Sequence, residues 1–188
     1  MARITPPVCR YCRREGIKLF LKGSRCDTAK CPIEREGHNM PPGMHAWRRG
    51  KTSEYGIRLR EKQKVKRYYR VMDRQFMKYF RAAARTKGNT GTALLVSLEC
   101  RLDNVVFKAG FAGSRGAARQ FVGHGHVYVN GRKTDIPSFE VRKGDVLTVK
   151  PVDKSRKLIR ETLEAAQGRN KPNWLEVDVG KLEAKVVG

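Results

Sequence analysis

Residues 101–131, RLDNVVFKAGFAGSRGAARQFVGHGHVYVNG, read as a helix, a turn, a second helix and the first strand of a hairpin. Leu98, just upstream, starts an apolar stripe that continues through Leu102, Val105, Val106 and Ala109, the spacing of one buried helix face. Gly110 is placed to close that helix and Ser114 to cap the next. The second helix sets Ala117, Ala118 and Phe121 on one side, with Arg115 and Arg119 one turn apart on the other. Gly123 and Gly125 end it. His126 to Val129 then alternate like a strand into an Asn130-Gly131 turn. Two basic helix faces against a small sheet suit a nucleic-acid reader.

Outward from this stretch, charge dominates. The 188 residues hold 41 Lys and Arg against 18 Asp and Glu, a formal net charge of +23. A folded chain this basic needs a polyanionic partner. Nucleic acid is favoured over an anionic membrane, because no long amphipathic segment has an apolar face free of core duty. No run of eighteen apolar residues and no signal-peptide core is present, so the expected compartment is the reducing cytoplasm.

Residues 1–50 are loop-rich, interrupted by Pro6, Pro7, Pro32, Pro41 and Pro42. Four thiols sit there as Cys9-x-x-Cys12 and Cys26-x4-Cys31. Two such pairs can close a tetrahedron around one structural Zn2+, stapling a segment with too little apolar surface to fold alone. Disulfides, unliganded thiols and an iron–sulfur cluster are the alternatives. His38 and His45 could replace an unused thiol, although a polar turn or phosphate contact is the plainer role for each. Tyr11, with Arg10, Arg13 and Arg14 around the first pair, completes a basic knob. Cys100 has no partner placed to activate it and is expected to pack.

Residues 53–69, SEYGIRLREKQKVKRYY, predict a helix capped by Ser53. Arg58, Lys62 and Lys66 are its expected phosphate contacts, and Tyr55, Leu59 and Tyr69 its anchors. A second helix from Asp73 should bury Phe76, Met77, Phe80 and Ala84 and end near Gly88. Beyond the hairpin, 141–145 form a turn into a strand at 146–149. Residues 155–167 predict a helix with Leu158, Ile159, Leu163 and Ala166 inward. Two short strands follow, at 173–177 and 184–187.

The central stretch continued to Asp145, the 53–69 helix and the cysteine spacing together resemble the family of small-subunit ribosomal protein four, of the bacterial type and in its zinc-bearing version. The resemblance covers nearly the whole chain. Small domains like 101–131 also occur on pseudouridine synthases and tyrosyl-tRNA synthetases, but nothing here resembles their catalytic parts. Gly113, Gly116 and Gly123 make the second central helix less helix-favouring than the family pattern, and the chain stops at Gly188 where family members usually continue.

The resemblance implies an α+β architecture. A mainly helical domain at 51–90, completed by 151–188, would receive an inserted RNA-binding domain at 91–150, two helices on a small, mostly antiparallel sheet. A zinc-stapled segment at 1–50 would precede both. The resemblance also implies a non-enzymatic protein of the small ribosomal subunit, binding its ribosomal RNA early in assembly at a multi-helix junction. It further implies contacts with neighbouring ribosomal proteins, a position near the messenger RNA entrance, and self-regulation through messenger RNA in some members.

The expected RNA surface comprises Arg101, Lys108, Ser114, Arg115, Arg119, Gln120, His124 and His126, extended by Arg58, Lys62 and Lys66. If about six phosphates are neutralised, the log–log salt slope should be about −4 to −5. Selectivity would come from the shape of a folded junction. A zinc-containing DNA regulator would need a recognition helix and a dimerisation element, neither evident. An adaptor for acidic proteins would show little salt dependence, and the scattered carboxylates form no nuclease motif.

Overall fold

The computed structural model describes residues 4, 7–46, 50–166, 168 and 170–188; Pro6 and Gln167 lie outside the described residues. The chain divides into two compact units, 1–78 and 79–188.

In the first unit, α1 (Cys9–Glu15) ends at Gly16 in the left-handed region, and a 3-10 turn (Gly23–Asp27) follows. Its interior is small: Val8, Cys12, Leu19 and Leu21, with Tyr11, Ile33 and Tyr68 packed against them. The helix α2 (Glu54–Tyr68) begins as expected, with the Ser53 hydroxyl accepting the Gly56 N–H at 3.2 Å. Tyr69 is buried at its end, whereas Tyr55, an expected anchor, is exposed. The unit boundary falls within α3 (Asp73–Arg85). Phe76 and Ala83 are the buried residues of α3; Phe80 and Ala84, expected inward, are exposed.

The second unit contains the central stretch. The apolar stripe holds, since Leu98, Leu102, Val105, Val106 and Ala109 are all fully buried. The helix carrying it is two helices, α4 (Thr90–Glu99) and α5 (Leu102–Lys108). Arg101 between them is extended and bridges Glu140, with the Leu102 N–H donating to the Phe139 carbonyl at 2.8 Å and the Val141 N–H to the Cys100 carbonyl at 2.9 Å. Gly110 follows α5 at φ 84°. A Cβ there would also lie 3.3 Å from a Leu163 methyl, so conformation and space both call for glycine.

Ser114 caps α6 (Arg115–Gly123), accepting the Ala117 N–H at 3.2 Å; the helix forms despite its glycines because Ala118 and Val122 bury its inner face. β1 (Val127–Val129) and β2 (Arg132–Lys133) join through Asn130-Gly131, both at positive φ, the geometry that matches strand twist in a two-residue hairpin. The Asn130 side chain also receives the Val146 N–H at 2.9 Å, tying the turn to β3 (Val146–Val149).

The C-terminal segment goes elsewhere than the family pattern implies. α7 (Asp153–Glu164) buries Ile159 and Leu163 in the core shared with α5 and α6, leaving Leu158 exposed. β4 (Leu175–Asp178) and β5 (Glu183–Val186) then complete a five-stranded antiparallel sheet of order β2-β1-β3-β5-β4. Residues 151–188 therefore complete the central unit, a correction to their assignment to 51–90. The cause is the outer edge of β3: pairing Leu147 with Ala184 satisfies its backbone and buries Leu175, Leu182, Ala184 and Val186 in one core.

Candidate nucleic-acid interface

The cations of the central unit divide into those facing inward and those facing out. Arg101 is 2 % exposed. Its guanidinium donates twice to Asp103, at 3.0 and 2.7 Å, and to the Tyr79 hydroxyl at 2.7 Å. Burial works against this charge, but the Asp103 carboxylate more than offsets it and the guanidinium is held above its ordinary value. Arg115 is also buried; its Nε donates to Asn104 Oδ1 at 2.8 Å and its plane lies over the Phe107 ring. The Asn104 amide in turn donates to Glu99.

Arg119 reaches Asp103 at 3.6 Å with a fifth of its side chain exposed; burial draws its guanidinium below the ordinary value. Two residues expected to face RNA, Arg101 and Arg115, therefore lie inside. A one-turn spacing puts two side chains on one helix face, but α5 packs against that face and supplies Asp103 and Asn104 to meet them.

Ser114 is occupied as the α6 cap. Gln120 and His124 are exposed and Lys108 is half-buried. His126 sits beside His124, ring to ring at 6.1 Å, with Nδ1 2.9 Å from the Ser155 hydroxyl. Burial, then the charges of His124 and Lys150, hold His126 below its ordinary value, so it is neutral at physiological pH. Cys100 is raised by burial and by Glu140 and Glu99, the opposite of nucleophile activation.

In the first unit, α2 commits much of its charge internally. Arg60 and Arg67 converge on the buried Glu15 carboxylate, and Arg67 also lies over the Tyr11 ring. Lys62 and Lys66 both reach Asp73, at 3.4 and 3.1 Å, and the Lys66 bond leads in drawing that carboxyl below its ordinary range. Arg58 pairs with Glu54 at the surface, its side chain 82 % exposed. A run of like charge in sequence gives no sign of the distant carboxylates that fold onto it.

Cys12, Cys26 and Cys31 are buried and Cys9 half-buried. Burial raises the Cys12 thiol, the Leu19 backbone hydrogen bond opposes it, and Cys26, Cys9 and Cys31 add to the rise. The Lys22 N–H donates to Cys26 Sγ at 3.4 Å. Among the described residues no group of three or more His, Cys, Asp or Glu is already arranged to hold a metal ion. The donor chemistry, four thiols in two closely spaced pairs with three of them buried, nevertheless fits a soft cation. His38 and His45 are exposed. Arg25, Lys30 and Arg35, absent from the expected set, join Arg10 and Arg13 around one cleft beside Cys9. A signal for most of this group was present: a cation stands next to every one of the four cysteines.

No helix among the described residues is long and apolar enough to cross a membrane. Comparison with known proteins matches residues 3–99 to the family described as ribosomal protein S4/S9 N-terminal domain and residues 100–147 to the S4 domain. The chain is 54 % identical over 187 residues to small ribosomal subunit protein uS4 of Thermoanaerobacter sp. (strain X514) and to uS4A of Symbiobacterium thermophilum, each alignment covering all of this chain and 89 % of the relative. It is likewise 54 % identical to the uS4 protein of Geotalea uraniireducens, covering 99 % of this chain and 88 % of that one.

Proposed function

From the premise that the chain belongs to the uS4 family of small ribosomal subunit proteins, we propose how it grips RNA and what braces it. It is a structural, non-enzymatic component of the small subunit, working in the cytoplasm on small-subunit ribosomal RNA beside neighbouring ribosomal proteins. The observation that carries this conclusion is the match along the entire chain, across both the N-terminal family and the S4 domain.

The proposal concerns the finer steps. In the central unit, Lys108, Gln120 and His124 face the RNA, with Arg119 at the margin; Arg101, Ser114, Arg115 and His126 hold the helices and hairpin behind them. In the N-terminal unit, Arg58 meets phosphate directly, and Lys62 and Lys66 do so from their Asp73 pairs. Binding occurs early in assembly, at a multi-helix junction, because a rigid preformed surface suits recognition of RNA by shape. Placement near the messenger RNA entrance, and binding of its own messenger RNA for self-regulation, belong to the same proposal and would use the same phosphate-directed surface.

Cys9, Cys12, Cys26 and Cys31 would hold one Zn2+, which when bound supplies a structural cross-link. Support comes from the three buried thiols, the influence of Cys9, Cys26 and Cys31 on Cys12, and the small apolar interior to which Cys12 belongs. Metal analysis of the purified chain should give close to one zinc; none, with the cysteines intact and reduced, ends the metal proposal.

The deciding experiment for function is competition between small-subunit ribosomal RNA and duplex DNA of equal charge at moderate salt. Ribosomal RNA should win; parity would leave only a general polyanion binder.

A further inference from the structure

The first unit holds a cleft of about 290 Å³ lined by Arg10, Arg13, Arg25, Lys30 and Arg35, with Cys9 at its side and no carboxylate among its lining residues. The sequence explains the grouping. Arg10 follows Cys9, Arg13 follows Cys12, Arg25 precedes Cys26 and Lys30 precedes Cys31. Three of these sulfurs are buried, so the backbone that turns the thiols inward turns their neighbours outward, and segments 12 or more residues apart bring their cations to one place.

These five charges differ from the cations of the unit that are paired with carboxylates. Lys18 pairs with Glu34, Arg60 and Arg67 with Glu15, and Lys62 and Lys66 with Asp73. None of the five has a carboxylate partner among the described residues, and Arg10, Arg25, Lys30 and Arg35 are exposed. Like charges gathered around a concavity focus a positive potential into it, which only an anion relieves. Four of the five are arginines, whose planar fork matches paired phosphate oxygens.

We propose that this cleft is a phosphate-binding site that seats the backbone of an RNA strand, and that the cysteine-bearing segments, α1 and the turns around Cys26 and Cys31, are its scaffold. The inference rests on the ribosomal RNA reading above and adds to it a specific place of contact. It gives the N-terminal unit a direct role in binding, beyond bracing α2.

The test measures binding of small-subunit ribosomal RNA by the full chain across a salt series. The Arg10→Gln/Arg25→Gln/Lys30→Gln variant should keep its circular dichroism, flatten the log–log slope by roughly 2 to 3 and lose at least about tenfold in affinity at physiological salt. A control of equal charge on α7, Lys154→Gln/Arg156→Gln/Lys157→Gln, should lose clearly less. Equal losses from the two triples would mean that only net charge matters and would overturn the cleft. The charge-retaining Arg10→Lys/Arg25→Lys variant should keep the wild-type slope; a slope flattened as in the triple would trace the effect to misfolding and sink the assignment.

Inorganic phosphate separates the two sources of the ligand. If millimolar phosphate stabilises the wild type while the cleft triple leaves the RNA slope unchanged, the site takes a free anion and the RNA proposal fails. If the wild type does not prefer ribosomal RNA over duplex DNA, the functional reading itself has failed, and the cleft proposal with it.

Discussion

Asp103 shows how one side chain redirects the charge around it. It receives the Arg101 guanidinium in two bonds and lies 3.6 Å from Arg119, and both its own side chain and that of Arg101 are at most 6 % exposed. Removing one partner of a buried pair leaves an uncompensated charge, so Asp103→Ala should destabilise the second unit by about 3–5 kcal/mol, measured by urea unfolding. Arg115→Ala would strip an interior hydrogen bond and a ring contact, so its loss of RNA binding would report on folding as much as on contact. His126 carries a pH prediction. Its folded value lies below the ordinary one, so the unfolded chain takes up the proton first as pH falls. Stability should be unaffected well above about pH 6.5 and decline below it. The melting temperature should drop between about pH 7.5 and about pH 5.5, and His126→Gln should reduce that drop.

At the level of elements, the cap residues and turns were the most legible parts of the sequence. Ser53, Ser114 and the Asn130-Gly131 pair act locally, each within three or four residues, so their chemistry is written where it operates. Asn89, whose side chain accepts from both Gly91 and Thr92 N–H, caps α4 in the same way; Asn89→Ala should cost about 1 kcal/mol in thermal or urea unfolding. The buried stripe from Leu98 to Ala109 was also readable, because periodicity survives a break in the helix. The break itself was not, since it depends on Arg101 pairing with Glu140, almost forty residues away. For the same reason the inward use of α2's charges and the place of β4 and β5 escaped a local reading: Glu15 and the edge of β3 meet their partners only after the chain has folded back. Of the expected contact residues, those on outer faces remain candidates, and those opposite α5 became interior.

For the molecule as a whole, the net charge of +23 is not evenly available. Part of it is bound to carboxylates within each unit, while among the described residues the five cations of the N-terminal cleft have no carboxylate partner. If the four thiols hold the proposed zinc, a chelator should loosen the first unit, with its small apolar interior, while the circular dichroism and melting of the second, with its larger core, persist. A single transition lost entirely on chelation would contradict that division. The strand order β2-β1-β3-β5-β4 also bears on synthesis. A growing chain makes β1, β2 and β3 first, and β3 then waits with one bare edge for β5, about 37 residues later. At roughly 5–20 residues per second that interval lasts about 2 to 7 seconds. During it, Val146–Val149 offers unpaired backbone groups to any passing strand. The nascent protein is thus most prone to aggregate between the making of β3 and that of β5, and chaperone protection would matter most in those seconds.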